Sequence, residues 1–129
     1  MVGKEKELIR TMMTNLSRGA ILWLLSQKPM SGYSVVKELE ELTGQHLTPG
    51  VVYPLLYELE KEGFIVGEWT QKGRRRIKYY SMTQRGIELL NRLRSFLEMP
   101  VGEVLREFVE KKNWNAAELP ASAPNGDSS

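Results

Sequence analysis

Apolar positions change their spacing along this chain, and each change marks an element. Leu8, Ile9, Met12, Met13 and Leu16 fall at i, i+1, i+4, i+5 and i+8, the stripe of a helix. Ser17-Arg18-Gly19 is expected to interrupt it before Ile21, Leu22, Leu24 and Leu25 open a helix apolar on nearly every side, hence a central one. Lys28-Pro29 ends that helix, because a residue before proline is pushed out of the α region. Ser31 then reads as the N-cap of a second helix, with Val35, Val36, Leu39 and Leu42 on its buried face and Gly44 as its stop. Thr48-Pro49 opens a third: threonine caps the free N–H groups and proline suits the first helical position. Val52, Leu55, Leu56 and Leu59 form its stripe, Pro54 is expected to bend its first turns, and Gly63 ends it.

The period then shortens. Phe64–Thr70 and Ile77–Met82 are short and rich in β-branched and aromatic residues, so they predict a β-hairpin. The intervening Gln71–Arg76 is expected to form a long basic tip, and Tyr79 and Tyr80 point to opposite faces, leaving the buried face open. A fourth helix begins at Thr83 with Leu89, Leu90, Leu93, Phe96 and Leu97. Pro100 breaks it, and Val101, Val104, Leu105, Phe108 and Val109 continue as a short fifth.

The predicted fold is mainly α with a two-stranded β-hairpin: a winged helix–turn–helix with N- and C-terminal dimerisation helices. Four segments are expected: an N-terminal helical extension (1–17), the winged helix–turn–helix (18–83), dimerisation helices (84–112) and a flexible tail (113–129). In this arrangement the third helix enters the major groove and the hairpin tip reaches neighbouring phosphates.

Composition narrows the chemistry. The 129 residues suit about one domain. With no cysteine and a single His46, thiolate metal sites, disulfides, thiol nucleophiles and multi-histidine sites are excluded. No motif supports catalysis, so neither an enzyme, a metal nor a cofactor is expected, and the glutamates at 38, 40, 41, 58, 60 and 62 read as solvated helix faces. The longest apolar run, Ala20–Leu25, is far short of the ~20 residues of a membrane span, so a cytoplasmic protein without membrane contact is expected. Net charge is only +2, but Trp69–Ile87 carries six basic residues and no acidic one. Six cations without an intervening carboxylate suit phosphate better than a solvated strand edge.

Several spaced motifs agree in order with a known family. Pro29-Met30-Ser31-Gly32-Tyr33, Leu47-Thr48-Pro49-Gly50-Val51-Val52-Tyr53-Pro54-Leu55-Leu56, Leu59-Glu60-Lys61-Glu62-Gly63 and Arg75-Arg76-Ile77-Lys78-Tyr79-Tyr80-Ser81-Met82-Thr83, with Gly86, resemble the PadR-like transcriptional regulators over roughly 19–97. The resemblance implies a dimeric winged-helix repressor whose C-terminal helices form the dimer, here of the smaller subfamily with a short C-terminal region. It also implies that some members take a small hydrophobic effector. Trp23, Phe96 and Trp114 are candidates to line such a pocket, although aromatics at helical spacing more often serve as core or interface, and Trp23 reads as structural.

The candidate DNA-binding residues are Tyr33 and Lys37 on the second helix, Thr48, Gly50, Tyr53 and Tyr57 on the third, and Lys72, Arg74, Arg75, Arg76 and Lys78 in the wing. Thr48 and Gly50 lie where free N–H groups accept phosphate. Tyr53 is expected to project near the groove, with Tyr57 on the same face but further off. None of the helix candidates makes a bidentate arginine–guanine or amide–adenine pairing, which leaves sequence preference to wing arginines, Gln45 or DNA shape. The alternatives are plain capping for Thr48, packed tyrosines, and a Lys37–Glu41 pair. The candidate dimerisation residues are Leu8, Met12, Leu89, Leu93, Phe96, Leu97, Val104, Leu105 and Phe108, since helices beyond a completed core need a partner for their apolar stripes. The expected partners are a second copy and double-stranded DNA with a roughly palindromic operator. A protein-binding winged helix, or a ligand-sensing regulator of another winged-helix family, is the alternative.

Overall fold

The computed structural model describes residues 2–44, 49–111, 115 and 117. Two compact units result, 1–93 and 94–129.

The first helix, α1, runs unbroken over Val2–Gln27, so the expected interruption at Ser17–Gly19 does not occur. One interior glycine costs a helix only about 1 kcal/mol. Burial of Ile21, Leu22, Leu24 and Leu25 immediately after it outweighs that cost. Trp23 departs from expectation: it is 47% exposed, pointing away from the core its neighbours enter.

Met30–Ser31 forms a two-residue strand, β1. α2 follows over Gly32–Thr43, with Ser31 as its N-cap: the Ser31 hydroxyl accepts from the Ser34 N–H at 3.2 Å. Gly44 ends it in the left-handed region at φ 68°. α3 spans Pro49–Lys61 and carries Pro54 inside it; its expected cap, Thr48, lies outside the described residues, as do Gln45 and His46. The end of α3 is a Schellman turn: the Phe64 N–H reaches the Leu59 carbonyl (2.9 Å) and the Gly63 N–H the Glu60 carbonyl (3.0 Å), with Gly63 at φ 85°.

β2 (Ile65–Lys72) and β3 (Arg75–Met82) form the hairpin. The expected long tip is absent, because both strands extend to a two-residue turn, with Lys72 opposite Arg75. Gly73 takes φ 62° while Arg74 keeps a negative φ, as in the type II′ turns whose twist suits a hairpin. β1 pairs with the other side of β3 (Met30↔Tyr80, Ser31↔Tyr79), making a three-stranded antiparallel sheet of order β1-β3-β2. Tertiary packing settles which tyrosine is inward: Tyr80 is buried, and Tyr79 is half-buried on the opposite face.

The core is Ile21, Leu22, Leu24, Leu25, Met30, Val35, Val36, Leu39, Val52, Leu55, Leu56, Leu59, Ile65 and Tyr80. Every buried stripe residue expected in α2 and α3 is among them except Leu42, which is 53% exposed at the end of α2. α4 (Gln84–Leu97) begins at Thr83, whose hydroxyl accepts from the Gly86 N–H (3.1 Å) and donates to the Gly63 carbonyl (2.6 Å). α5 (Pro100–Glu110) opens with proline at its first turn and has no buried residue. Among the described residues no helix is long and apolar enough to cross a membrane.

Candidate nucleic-acid interface

α2 and α3 form a helix–turn–helix whose buried stripes leave one face of each helix in solvent. On α3 the i, i+3, i+7 positions Gly50, Tyr53 and Tyr57 are all exposed, Tyr57 more than Tyr53. Tyr53 leans on α2. Gly32 is buried at the start of that helix, and a Cβ there would stand 2.5 Å from Tyr53 Cε1. The missing side chain therefore lets the Tyr53 ring lie against the α2 N-terminus. Tyr33 is exposed, not packed, and Lys37 Nζ sits 5.6 Å from its ring centre, so the two form one cationic–aromatic surface.

The wing adds most of the charge. Lys72, Arg74, Arg75 and Arg76 are exposed. Period-2 alternation puts Trp69, Arg76 and Lys78 on the inner face that continues outward from Ile65 and Tyr80. Arg76 stacks on the Trp69 ring at 4.8 Å, and Lys72 lies 5.8 Å from the Tyr79 ring. An open groove of about 530 Å³ separates the helix–turn–helix from the wing, with Tyr33, Tyr53, Trp69, Arg75, Arg76 and Tyr80 in its wall. Tyr33 and Tyr53 thus stand on the helix side of a cleft and the Arg75 and Arg76 guanidinium groups on the wing side, a combination suited to a phosphate backbone with flanking groove edges.

Lys78 behaves differently from the other wing cations. Its ammonium donates to Glu60 Oε1 at 2.9 Å, and the two side chains are only 27% and 29% exposed. The Glu60 hydrogen bond holds the Lys78 pKa above its usual value against the opposing effect of burial. Burial likewise pushes the Tyr80 hydroxyl up, and the Lys78 charge works against it. Lys78 is therefore a paired cation, whereas Lys72, Arg74, Arg75 and Arg76 are exposed and make no ion pair among the described residues. Correspondingly, Glu60 is not the solvated face expected of it; Glu58 is exposed as expected but also accepts from Arg18 Nη2 at 2.7 Å, tying α3 to α1.

Sequence reasoning overlooked Trp69, which is 56% exposed beneath Arg76. The signal was the hairpin register, which pairs Trp69 with Lys78 once the turn is placed at Gly73-Arg74.

The apolar residues assigned to dimerisation divide. Leu8 and Met12 on α1 are exposed, along with Ile9, Met13 and Leu16. Leu93, Phe96 and Leu97 on α4 and Val104, Leu105 and Phe108 on α5 are exposed as well. Leu89 differs, being partly buried against the core of its own chain. Trp114 lies outside the described residues.

The PadR-like family of transcriptional regulators matches residues 21–92. The chain is 33% identical over 84 residues to the transcriptional regulator YqjI of Escherichia coli, covering 64% of this chain and 39% of that protein. It therefore spans about two-fifths of that relative's length. Among solved structures, it is similar to a PadR-like transcriptional regulator of Bacillus cereus, at 26% identity and TM-score 0.67, over 79% of this chain and 99% of that one. A PadR family transcriptional regulator of Eggerthella lenta superposes with TM-score 0.59 at 27% identity, over 84% of this chain and 98% of the other. The matched stretch takes in the helix–turn–helix and the whole wing, and the chain belongs to the PadR-like family of DNA-binding transcriptional regulators.

Proposed function

We propose that the protein is a homodimeric, sequence-specific repressor that places α3 of each subunit in the major groove and its wing on the flanking backbone. The observation that carries this reading is the cleft itself: exposed Tyr53 on α3 stands across it from a wing whose cations Lys72, Arg74, Arg75 and Arg76 make no ion pair among the described residues, and Tyr57 is exposed one helical turn further along α3. Gly50, exposed in the first turn of α3, completes the approach to phosphate from the helix start, and Tyr33 with Lys37 does so from α2. Tyrosine hydroxyls and wing arginines in place of bidentate base pairs make DNA shape a principal source of selectivity.

Dimerisation is supported by the exposed apolar residues of α1, α4 and α5. Val104, Leu105, Phe108 and Val109 repeat along one side of a helix with no buried residue, a face that needs another helix. A second copy supplies matching stripes under twofold symmetry, which predicts an inverted repeat with half-sites about one or two helical turns apart. Occupancy of such a site in a promoter excludes polymerase. A small hydrophobic effector at that interface is part of the same reading, and Trp23 is exposed on α1.

Selection of bound duplexes from a random pool, with the mass of the complex measured in solution, tests the reading. Enrichment of an inverted repeat bound by two chains is the expected result. Recovery of unrelated sequences, or one chain per duplex, would overturn it.

A further inference from the structure

We propose that Glu60 is a positioning residue that locks the wing to α3, and that this lock serves discrimination between DNA sequences more than affinity for the backbone. The inference rests on the reading that α3 and the wing meet the same duplex. Glu60 lies in the last turn of α3 and uses both carboxylate oxygens, one for each strand of the hairpin. Oε1 accepts from Lys78 Nζ on β3 at 2.9 Å, and Oε2 accepts from the Gly67 N–H on β2 at 3.1 Å. β2 is an edge strand, and the carboxylate takes the place of a ladder partner at Gly67. Gly67 is needed for this. A Cβ there would collide with Lys78 Cε and come within 3.3 Å of Glu60 Oε2, so the absent side chain clears the path by which Lys78 reaches the carboxylate. On its way Lys78 passes the Trp69 and Tyr80 rings, at 5.8 and 5.3 Å. Beyond this anchor, residues 68–76 are all exposed.

For backbone affinity alone the arrangement is unfavourable. A carboxylate paired with Lys78, which lines the DNA-facing cleft, repels phosphate and engages a cation that would otherwise displace a counterion. Its benefit is geometric: base-edge contacts from α3 and backbone contacts from the wing reinforce each other only when the angle between the two elements is already set before binding. A freely swinging wing would grip any duplex in whatever register α3 happened to occupy.

The test compares wild type with Glu60→Ala and Glu60→Gln. Affinities are measured for a duplex that wild type selects from a random pool and for a scrambled duplex of the same composition, across a salt series. Amide hydrogen exchange is followed in the DNA-free proteins. Glu60→Ala should reduce the preference for the selected duplex roughly tenfold, the scale of one lost base-pair contact. Affinity for the scrambled duplex should hold or rise, with a salt slope steeper by up to about one as Lys78 is released to phosphate. The Gly67 amide should exchange faster. Glu60→Gln keeps an acceptor for that N–H and should recover part of the preference. Selected and scrambled affinities moving by one common factor would reduce Glu60 to a repelling charge or a stability residue and overturn the proposal. Unchanged protection at Gly67 in Glu60→Ala would overturn the lock directly. A wild type without preference for any duplex would overturn both the functional reading and the discrimination role, with hydrogen exchange still deciding whether the anchor exists.

Discussion

Changing Arg74, Arg75 and Arg76 together to Ala removes three exposed positive charges from each chain while leaving the core residues untouched. Each phosphate neutralised contributes about 0.9 to the slope of log affinity against log salt, so three arginines account for about 2.7 per chain and about 5 per dimer. Over a fourfold rise in salt, from about 50 to about 200 mM, a slope difference of that size separates wild type from variant by about three orders of magnitude in lost affinity. Lys72 remains in the variant, so its slope should be shallow and not zero. Fluorescence anisotropy of a labelled generic duplex, titrated at several salt concentrations, measures the quantity directly. Lys78→Met provides the internal comparison. Its ammonium is already paired with Glu60, so its removal should leave the slope nearly unchanged while lowering stability by about 1 kcal/mol, the scale of a charged hydrogen bond partly open to solvent. A triple variant with the wild-type slope would mean that the wing arginines do not meet phosphate, and a Lys78→Met effect as large as an arginine's would refute the distinction between paired and unpaired cations.

Tyr53→Phe should weaken binding to the selected duplex with little change in melting temperature, and Gly32→Ala should do the same by pushing the Tyr53 ring off α2; a large loss of melting temperature in Tyr53→Phe would identify a core role instead. Gly86→Ala should destabilise the fold by about 3 kcal/mol in chemical denaturation, because a Cβ there collides with the backbone carbonyl of Phe64, which has no room to yield. Lys78 and Tyr80 both have pKa values raised by folding, from ordinary values of 10.5 and 10.0. Their protonated forms therefore favour the native state, whose stability is fully present below those values and falls as pH climbs through and above them; thermal melts at increasing alkalinity should show the decline, and Lys78→Met should flatten it. Phe108→Glu should shift sedimentation from dimer to monomer while leaving the melting of the 1–93 unit intact.

The helices of the core were legible because their signals are local. Ser31 caps α2 through its own hydroxyl, Gly44 and Gly63 stop helices by adopting positive φ, and the stripes of α2 and α3 repeat with the helical period. The Schellman turn after α3 and the cap at Thr83 likewise involve residues a few positions apart or meeting at one corner. The misreadings share a different cause. Ser17–Gly19 looked like a break because a glycine's cost is local, whereas the burial that offsets it comes from packing against α2 and β3. The basic stretch looked like a loop because charge is uncommon in strands, yet an exposed two-stranded ribbon accepts it once Gly73 makes the turn.

The site divides along the same line. Sequence alone determined the order of elements, most of the buried stripes and the concentration of cations in the wing, since each depends on residue type and spacing within one segment. Only the tertiary structure decided that Met30–Ser31 adds a third strand, that Tyr80 and not Tyr79 faces inward, that Trp69 underlies Arg76, and that one cation among five is bound to Glu60. Those outcomes depend on which side chains from distant segments arrive at the same point in space, and an ion pair eighteen residues apart leaves no period in the sequence.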